Sequence, residues 1–236
     1  MAPSFDVVGW FAATPGLFRR VGEALLEGER VTAKAAALIV ATDAFAAADD
    51  EVAALGRDLL DRAAAVLPKP EETAIAPGGF DGWCEAFRVI QAYEGWQSFG
   101  AFVTAEKPQI GPGIAERIAY AATVSTHAAA AARKTMAAAS AHIRTLIPPG
   151  TVVALPTAPS IAPPLDLPVA AHDPFRARVM RLTCTSGLSG LPQVTIPAGT
   201  VTGSPAGLSL IGWAGGDEAL LDLACELARF CGIARP

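Results

Sequence analysis

Thr185-Ser186-Gly187-Leu188-Ser189-Gly190-Leu191-Pro192-Gln193-Val194-Thr195-Ile196-Pro197-Ala198-Gly199 is the stretch whose reading decides the fold. It lies inside the longest uncharged run of the chain, Leu182 to Gly216. A membrane-spanning helix needs about 20 consecutive apolar residues with few breakers. Gly187, Gly190, Pro192, Pro197, Gly199, Gly203 and Pro205 would break any such helix. What fits instead is a pair of short strands, Gln193 to Ile196 and Gly207 to Ile211, joined to their neighbours by turns. Uncharged strands of this kind suit the middle of a sheet covered on both faces. The Gly-Leu-Pro turn lets a helix end pack closely against the next strand.

Outward from this block the same alternation continues. Thr151-Val152-Val153-Ala154-Leu155 reads as a strand, and a helix from about Pro174 to Ser186 separates it from the block. Gly216-Asp217-Glu218 opens a last helix, with Leu220, Leu221, Ala224 and Leu227 along one face and Gly232 at its end. Further upstream, Ala36 to Ala41 is a buried strand. Thr14-Pro15 opens a helix with Leu17, Phe18, Val21 and Leu25 on one face, ending near Gly28. Asp49-Asp50-Glu51 begins another, where the helix dipole favours negative charge. Val52, Leu55, Leu59, Ala63 and Val66 form its buried stripe, and Pro68 stops it. The segment 69–79 reads as a loop, about 82–105 as a helix, 108–113 as a break, and about 114–146 as one long Ala-rich helix. Strands separated by helices make an α/β architecture.

The chain has 236 residues, 52% hydrophobic and 17% charged, and a mean hydropathy of +0.37. With no membrane span in the local pattern, this points to an unusually apolar interior or interface, and no membrane partner is expected. The net charge is −5 and no Lys or Arg cluster could track a phosphate backbone, so nucleic acid is not expected as a partner. Cys84, Cys184, Cys225 and Cys231 form no CxxC pair and no metal spacing. Free thiols, no metal, no cofactor and a cytoplasmic location are the expectation. No leader of basic and then apolar residues opens the sequence.

Three segments carry a family resemblance. They are Ser4-Phe5-Asp6-Val7-Val8-Gly9-Trp10-Phe11-Ala12, then Leu155-Pro156-Thr157-Ala158-Pro159-Ser160-Ile161-Ala162-Pro163-Pro164, then the opening block with its continuation through Pro205 to Leu221. In this order the chain resembles the C-terminal part of the amidase-signature family, nearest the plant-type branch whose members hydrolyse indole-3-acetamide. That branch also holds import receptors with an inactive amidase domain. The resemblance implies an α/β fold with a mixed sheet flanked by helices on both faces, present here as an incomplete portion. Residues 1–236 would form a single partial amidase domain, with a helical insert at about 47–147 and sheet segments at about 36–42, 151–156, 192–197 and 206–212.

The family hydrolyses amides with a Lys–Ser–Ser triad, in which a lysine and a bridging serine move the proton of the acylated serine. All three residues precede the Ser-x-Asp-x-x-Gly segment, which begins here at Ser4, so no catalytic residue is carried over and the chain alone is expected to be inactive. Ser186-Gly187-Leu188-Ser189-Gly190 imitates a nucleophile elbow but is not one, because Leu191 stands where its last Gly belongs; by resemblance it is a packing turn. Cys184 has no histidine tied to it in sequence, since His127, His142 and His172 lie apart. Asp6 and Asp43 read as turn or cap residues. Candidate pocket residues are Thr157 and Pro159 at a strand end, where open α/β sheets place ligands, and Thr185 and Ser186. The expected substrate is a small-molecule amide, provided an N-terminal half completes the site; self-association or a partner chain is also expected. A non-catalytic amidase-like binding module and a non-functional remnant are the alternatives.

Overall fold

The computed structural model describes residues 2–26, 33–168 and 172–232. In chain order its elements are α1 (Pro15–Leu25), β1 (Ala37–Ala41), α2 (Thr42–Ala46), α3 (Asp50–Arg62), β2 (Pro70–Thr73), α4 (Asp81–Glu106), α5 (Pro112–Thr123), α6 (Thr126–Leu146), β3 (Thr151–Pro156), α7 (His172–Ser189), β4 (Gln193–Val201), β5 (Ser204–Ile211) and α8 (Asp217–Phe230). The strands form one five-stranded mixed sheet in the order β2-β1-β3-β5-β4, flanked by helices. β1 lies parallel to β2 and β3, and β5 is antiparallel to β3 and β4. All six residues of β3 are buried, as befits a central strand with no charged side chain.

β4 differs from expectation. It is an edge strand, not a central one, and burial alternates along it. Val194, Ile196 and Ala198 are buried, whereas Thr195, Pro197 and Gly199 are exposed. One face is therefore packed and the other open, and the polar residues follow the open face. The ladder also runs past Pro197 and Gly199, which flank a bulge, and turns back at Thr202-Gly203. Both turn residues have positive φ, 48° and 84°, the backbone of a tight two-residue hairpin. A second difference is β2, which lies within the segment read as a loop: Pro70-Glu71-Glu72-Thr73 pairs with Leu38 to Ala41 as the opposite edge.

The packed face of the β4–β5 hairpin sits under α3 and α8. A Cβ at Gly56 would lie 3.3 Å from Leu208 and 3.0 Å from the Phe45 ring, so α3 approaches the sheet closely at that point. Leu220, Leu223 and Leu227 of α8 join the same core, each burial contributing roughly 2 kcal/mol.

α1 is capped by Thr14, whose Oγ1 accepts from Leu17 N at 3.2 Å. Its buried residues are Arg19 and Gly22; of the apolar face read from sequence, Phe18 packs against the core and Val21 is half-buried, while Leu17 and Leu25 are exposed, so that face packs only in part. With no Cβ, Gly22 lets α1 press against Leu221 of α8. Arg19 Nε then donates to Asp222 Oδ1 (2.6 Å), and Cys225 Sγ donates to the Pro15 carbonyl (3.1 Å). The helix ends at Leu25; Gly28, its expected stop, lies outside the described residues.

The expected long helix over 114–146 is two helices. α5 closes at Thr123, and Ser125 opens α6 by accepting the Ala128 N–H at 3.1 Å. α4 packs against α5, α6 and α7. Ser4 donates both its N–H (2.9 Å) and its hydroxyl (2.6 Å) to the Glu94 carboxylate, and Arg133 adds a third contact at 3.1 Å. Phe5 stacks on Phe87 with centroids 4.0 Å apart. These contacts fix the start of the described chain to α4.

Candidate functional site

Strand alternation puts Gln193, Thr195 and Ser209 on the same face of the hairpin, since Thr195 and Ser209 are direct cross-strand partners. Leu155 pairs with Ser209 on the other side, so Thr157, two residues on, comes to the same face at the end of β3. Ser209 Oγ, fully buried, is the hub. It accepts from Gln193 Nε2 (2.9 Å) and shares hydrogen bonds with Thr157 Oγ1 (2.9 Å) and Thr195 Oγ1 (3.1 Å). A hydroxyl offers one proton and two lone pairs, so three partners saturate it. Gly207 makes room for the arrangement: a Cβ there would stand 2.9 Å from Thr195 Cγ2 and 3.0 Å from Thr157 Oγ1.

Of the four candidate pocket residues, Thr157 belongs to this cluster. Pro159 is buried, and its carbonyl accepts the Asp49 N–H at 2.7 Å; Asp49 in turn binds Arg178 of α7 at 2.6 Å. Thr185 and Ser186 lie in α7, which runs on through Gly187 to Ser189, so the Ser186–Gly190 stretch is helix with its turn at Gly190 (φ 62°) and not a packing turn throughout. In its last turn Ser189 Oγ donates back to the carbonyls of Thr185 (2.8 Å) and Ser186 (3.2 Å). Thr185 is 1% exposed, and its own hydroxyl oxygen is buried with no hydrogen-bond partner. Neither a cavity of about 300 Å³ between α4 and α5 nor one of about 240 Å³ beside Trp83 and His142 is lined by any of the four.

The cluster can orient a polar group, but no acid or base is among its partners, and a hydroxyl without a neighbouring base is a weak nucleophile. The histidines are engaged elsewhere or exposed: His142 Nε2 donates to the Ile75 carbonyl (3.0 Å), His172 Nε2 to that of Leu167 (3.1 Å), and His127 faces solvent. Asp43 accepts from the N–H groups of Ala44, Ile75 and Ala76, tying α2 to the segment after β2. Among the described residues no three His, Cys, Asp or Glu side chains are grouped to hold a metal, and no helix is long and apolar enough to cross a membrane. Sequence reasoning missed Gln193, Thr195 and Ser209; the polar-apolar alternation of Gln-Val-Thr-Ile was the available signal.

No family model matches the chain. Among curated proteins it is 30% identical over 98% of its length to Amidase 1 of Arabidopsis thaliana, and 25% identical over 94% to Outer envelope protein 64, chloroplastic, of the same plant. It spans 61% and 42% of those proteins respectively, so it corresponds to part of each. In fold it matches a bacterial aryl acylamidase of the amidase-signature enzymes, with a TM-score of 0.66 at 15% identity, covering 89% of this chain and 48% of that one. In sequence the chain is similar to plant Amidase 1, on the plant-type side, and its fold is that of the amidase-signature enzymes.

Proposed function

We propose that the chain is the C-terminal portion of an amidohydrolase acting on carboxamide C–N bonds, with an aryl- or indole-acetamide as the substrate class. In this reading it supplies one wall of the substrate site, and the Lys–Ser–Ser triad comes from polypeptide outside these 236 residues. The observation that carries the reading is the hydroxyl cluster in which buried Ser209 holds Thr157 and the exposed Thr195, in a chain that spans part of an amidase. A triad lysine must be desolvated and held against a serine to exchange a proton near neutral pH. Lys34, Lys69, Lys107 and Lys134 all stand exposed on the surface, and none is a partner of the hydroxyl cluster. Ser189, 2% exposed and committed to two carbonyls, is no nucleophile. A cytoplasmic location goes with this proposal.

The test is ammonia release from indole-3-acetamide and from aryl acetamides. The purified chain alone gives none above the blank. Co-expression with a polypeptide carrying the family's lysine and serine segment restores turnover. Hydrolysis by the chain alone overturns the proposal.

A second reading, a non-catalytic binding module, is favoured by the exposed apolar residues near the start. Val7 is 82% exposed, Val8 74%, and Phe11 fully exposed, and Leu17 is exposed too. Exposed apolar residues gathered in one segment suit an interface. A stable complex with the co-expressed segment that shows no turnover on any amide selects this reading. Gel filtration of the chain alone reports whether these residues instead drive self-association.

A further inference from the structure

α4 and α7 meet through pairs of residues at a constant offset. Arg181 Nη2 lies 2.9 Å from Asp81 Oδ1. One turn on, Cys184 Sγ lies 3.9 Å from Cys84 Sγ. One turn further, a Cβ at Gly187 would stand 2.8 Å from the Phe87 ring. Both helices advance by three residues at each step, so they run side by side in the same direction and bring the two thiols face to face. Four free cysteines are present, and nothing in the family reading uses this pair.

We infer that Cys84 and Cys184 form a reversible disulfide that cross-links α4 to α7, with a small disulfide of the glutathione class as the oxidant. The sulfurs must close by about 1.9 Å to reach a bond of about 2.05 Å, a movement within reach of side-chain rotation between packed helices. The roles of the two thiols differ. Cys84 is half-buried in the first turn of α4, where backbone N–H groups and Arg181 favour a thiolate. The hydrogen bond from Cys184 holds the Cys84 thiol below its ordinary range, with Arg181 helping against the cost of burial. Cys184 is buried beyond reach of an outside oxidant, and its thiol is pushed up by the Cys84 contact and by burial.

Cys84 is thus the attacking sulfur and Cys184 the resolving one. The Cys84 thiolate attacks one sulfur of the oxidised small disulfide, whose S–S bond breaks and releases one small thiolate. Cys184 then gives up its proton and attacks Cys84 Sγ, breaking the mixed disulfide and releasing the second small thiolate. Both protons end on the two released thiols, and the protein has lost two electrons to the oxidant.

The purified 236-residue chain is equilibrated in glutathione buffers of rising oxidised fraction, acid-quenched, alkylated and digested for peptide mapping. The expected product is a Cys84–Cys184 linked peptide, lighter by two hydrogens, which disappears on return to reduced buffer. Cys225 and Cys231 remain alkylatable throughout. Cys184→Ser is expected to trap glutathione on Cys84, and Cys84→Ser to leave Cys184 unmodified. The wild-type mapping decides independently of whether either variant folds. Two alkylatable thiols at 84 and 184 under full oxidation, or a Cys84 adduct that never resolves in wild type, would overturn the inference.

Discussion

The sheet and the helical layer around α4 are held together by different means. The sheet contributes the large contiguous core, in which β1, β3, β5, α3 and α8 meet through aliphatic side chains. In the helical layer Ile143 and Leu182 reach that core, and two small further sets of buried apolar groups lie around Ile90 and around Leu188. Polar joints are added there: Ser4 and Arg133 on Glu94, Asp81 on Arg181, and a thiol on a thiol. Apolar burial does not depend on protonation, whereas such joints do. The comparison teaches that the sheet is stable by bulk, whereas the helical layer adds to its share of that core a few replaceable polar contacts.

The contrast is sharpest at Leu210, fully buried in β5. Leu210→Ala is expected to cost about 3 kcal/mol in urea unfolding, the usual cavity penalty; a loss below about 1 kcal/mol breaks the contrast from the sheet side. Next comes Glu94→Gln, expected to cost about 2 kcal/mol at pH 7, because a buried carboxylate loses charge-assisted partners. Burial alone would raise the Glu94 carboxyl, but the Ser4 hydrogen bonds and Arg133 outweigh it and hold the group below its ordinary value of 4.5. A depressed carboxyl stabilises the fold above that ordinary value and loses the contribution as pH falls through the lower folded value. The gap between wild type and Glu94→Gln should therefore shrink below about pH 4.5, while the Leu210→Ala gap stays level.

Smaller effects divide the sheet itself. Ser209→Ala strips three side chains of a shared partner and is expected to cost about 1 kcal/mol. Thr195→Val, on the open face, should change stability by less than about 0.5 kcal/mol. If the Thr195 change rivals Ser209→Ala, the face described as open is covered in solution.

Legibility in the sequence follows the same division. β1 is readable as a short aliphatic run, β3 and β5 because their apolar runs are bounded by Pro and Gly, and α8 because its acidic start and leucine face agree. β2 is not readable: Pro-Glu-Glu-Thr has no apolar residue, and its strand state comes from backbone pairing with β1. Nor is the α5–α6 break, since alanines on both sides favour helix equally and one serine cap decides. For α1, amphipathicity finds Phe18 but also Leu17 and Leu25, which stay exposed, while the close approach of Gly22 to Leu221 is a matter of steric fit that hydrophobicity does not encode. Within the candidate site, Thr157 could be placed from its strand end. Ser209 could not, because its three partners come from the end of β3 and from β4, and sequence does not say which strands β5 lies between.

The clasp between α1 and α8 also constrains how the molecule is made. Arg19 and Asp222 are separated by 203 residues. At ribosomal speeds, the first helix waits on the order of 10–40 s for its seat to be synthesised. Through that interval Gly22 has no Leu221 to meet and the apolar edge of α1 stays available to other chains. The nascent polypeptide is thus most in need of a chaperone before its last helix emerges, and a ribosome that stalls ahead of Asp217 leaves an open form that cannot shut.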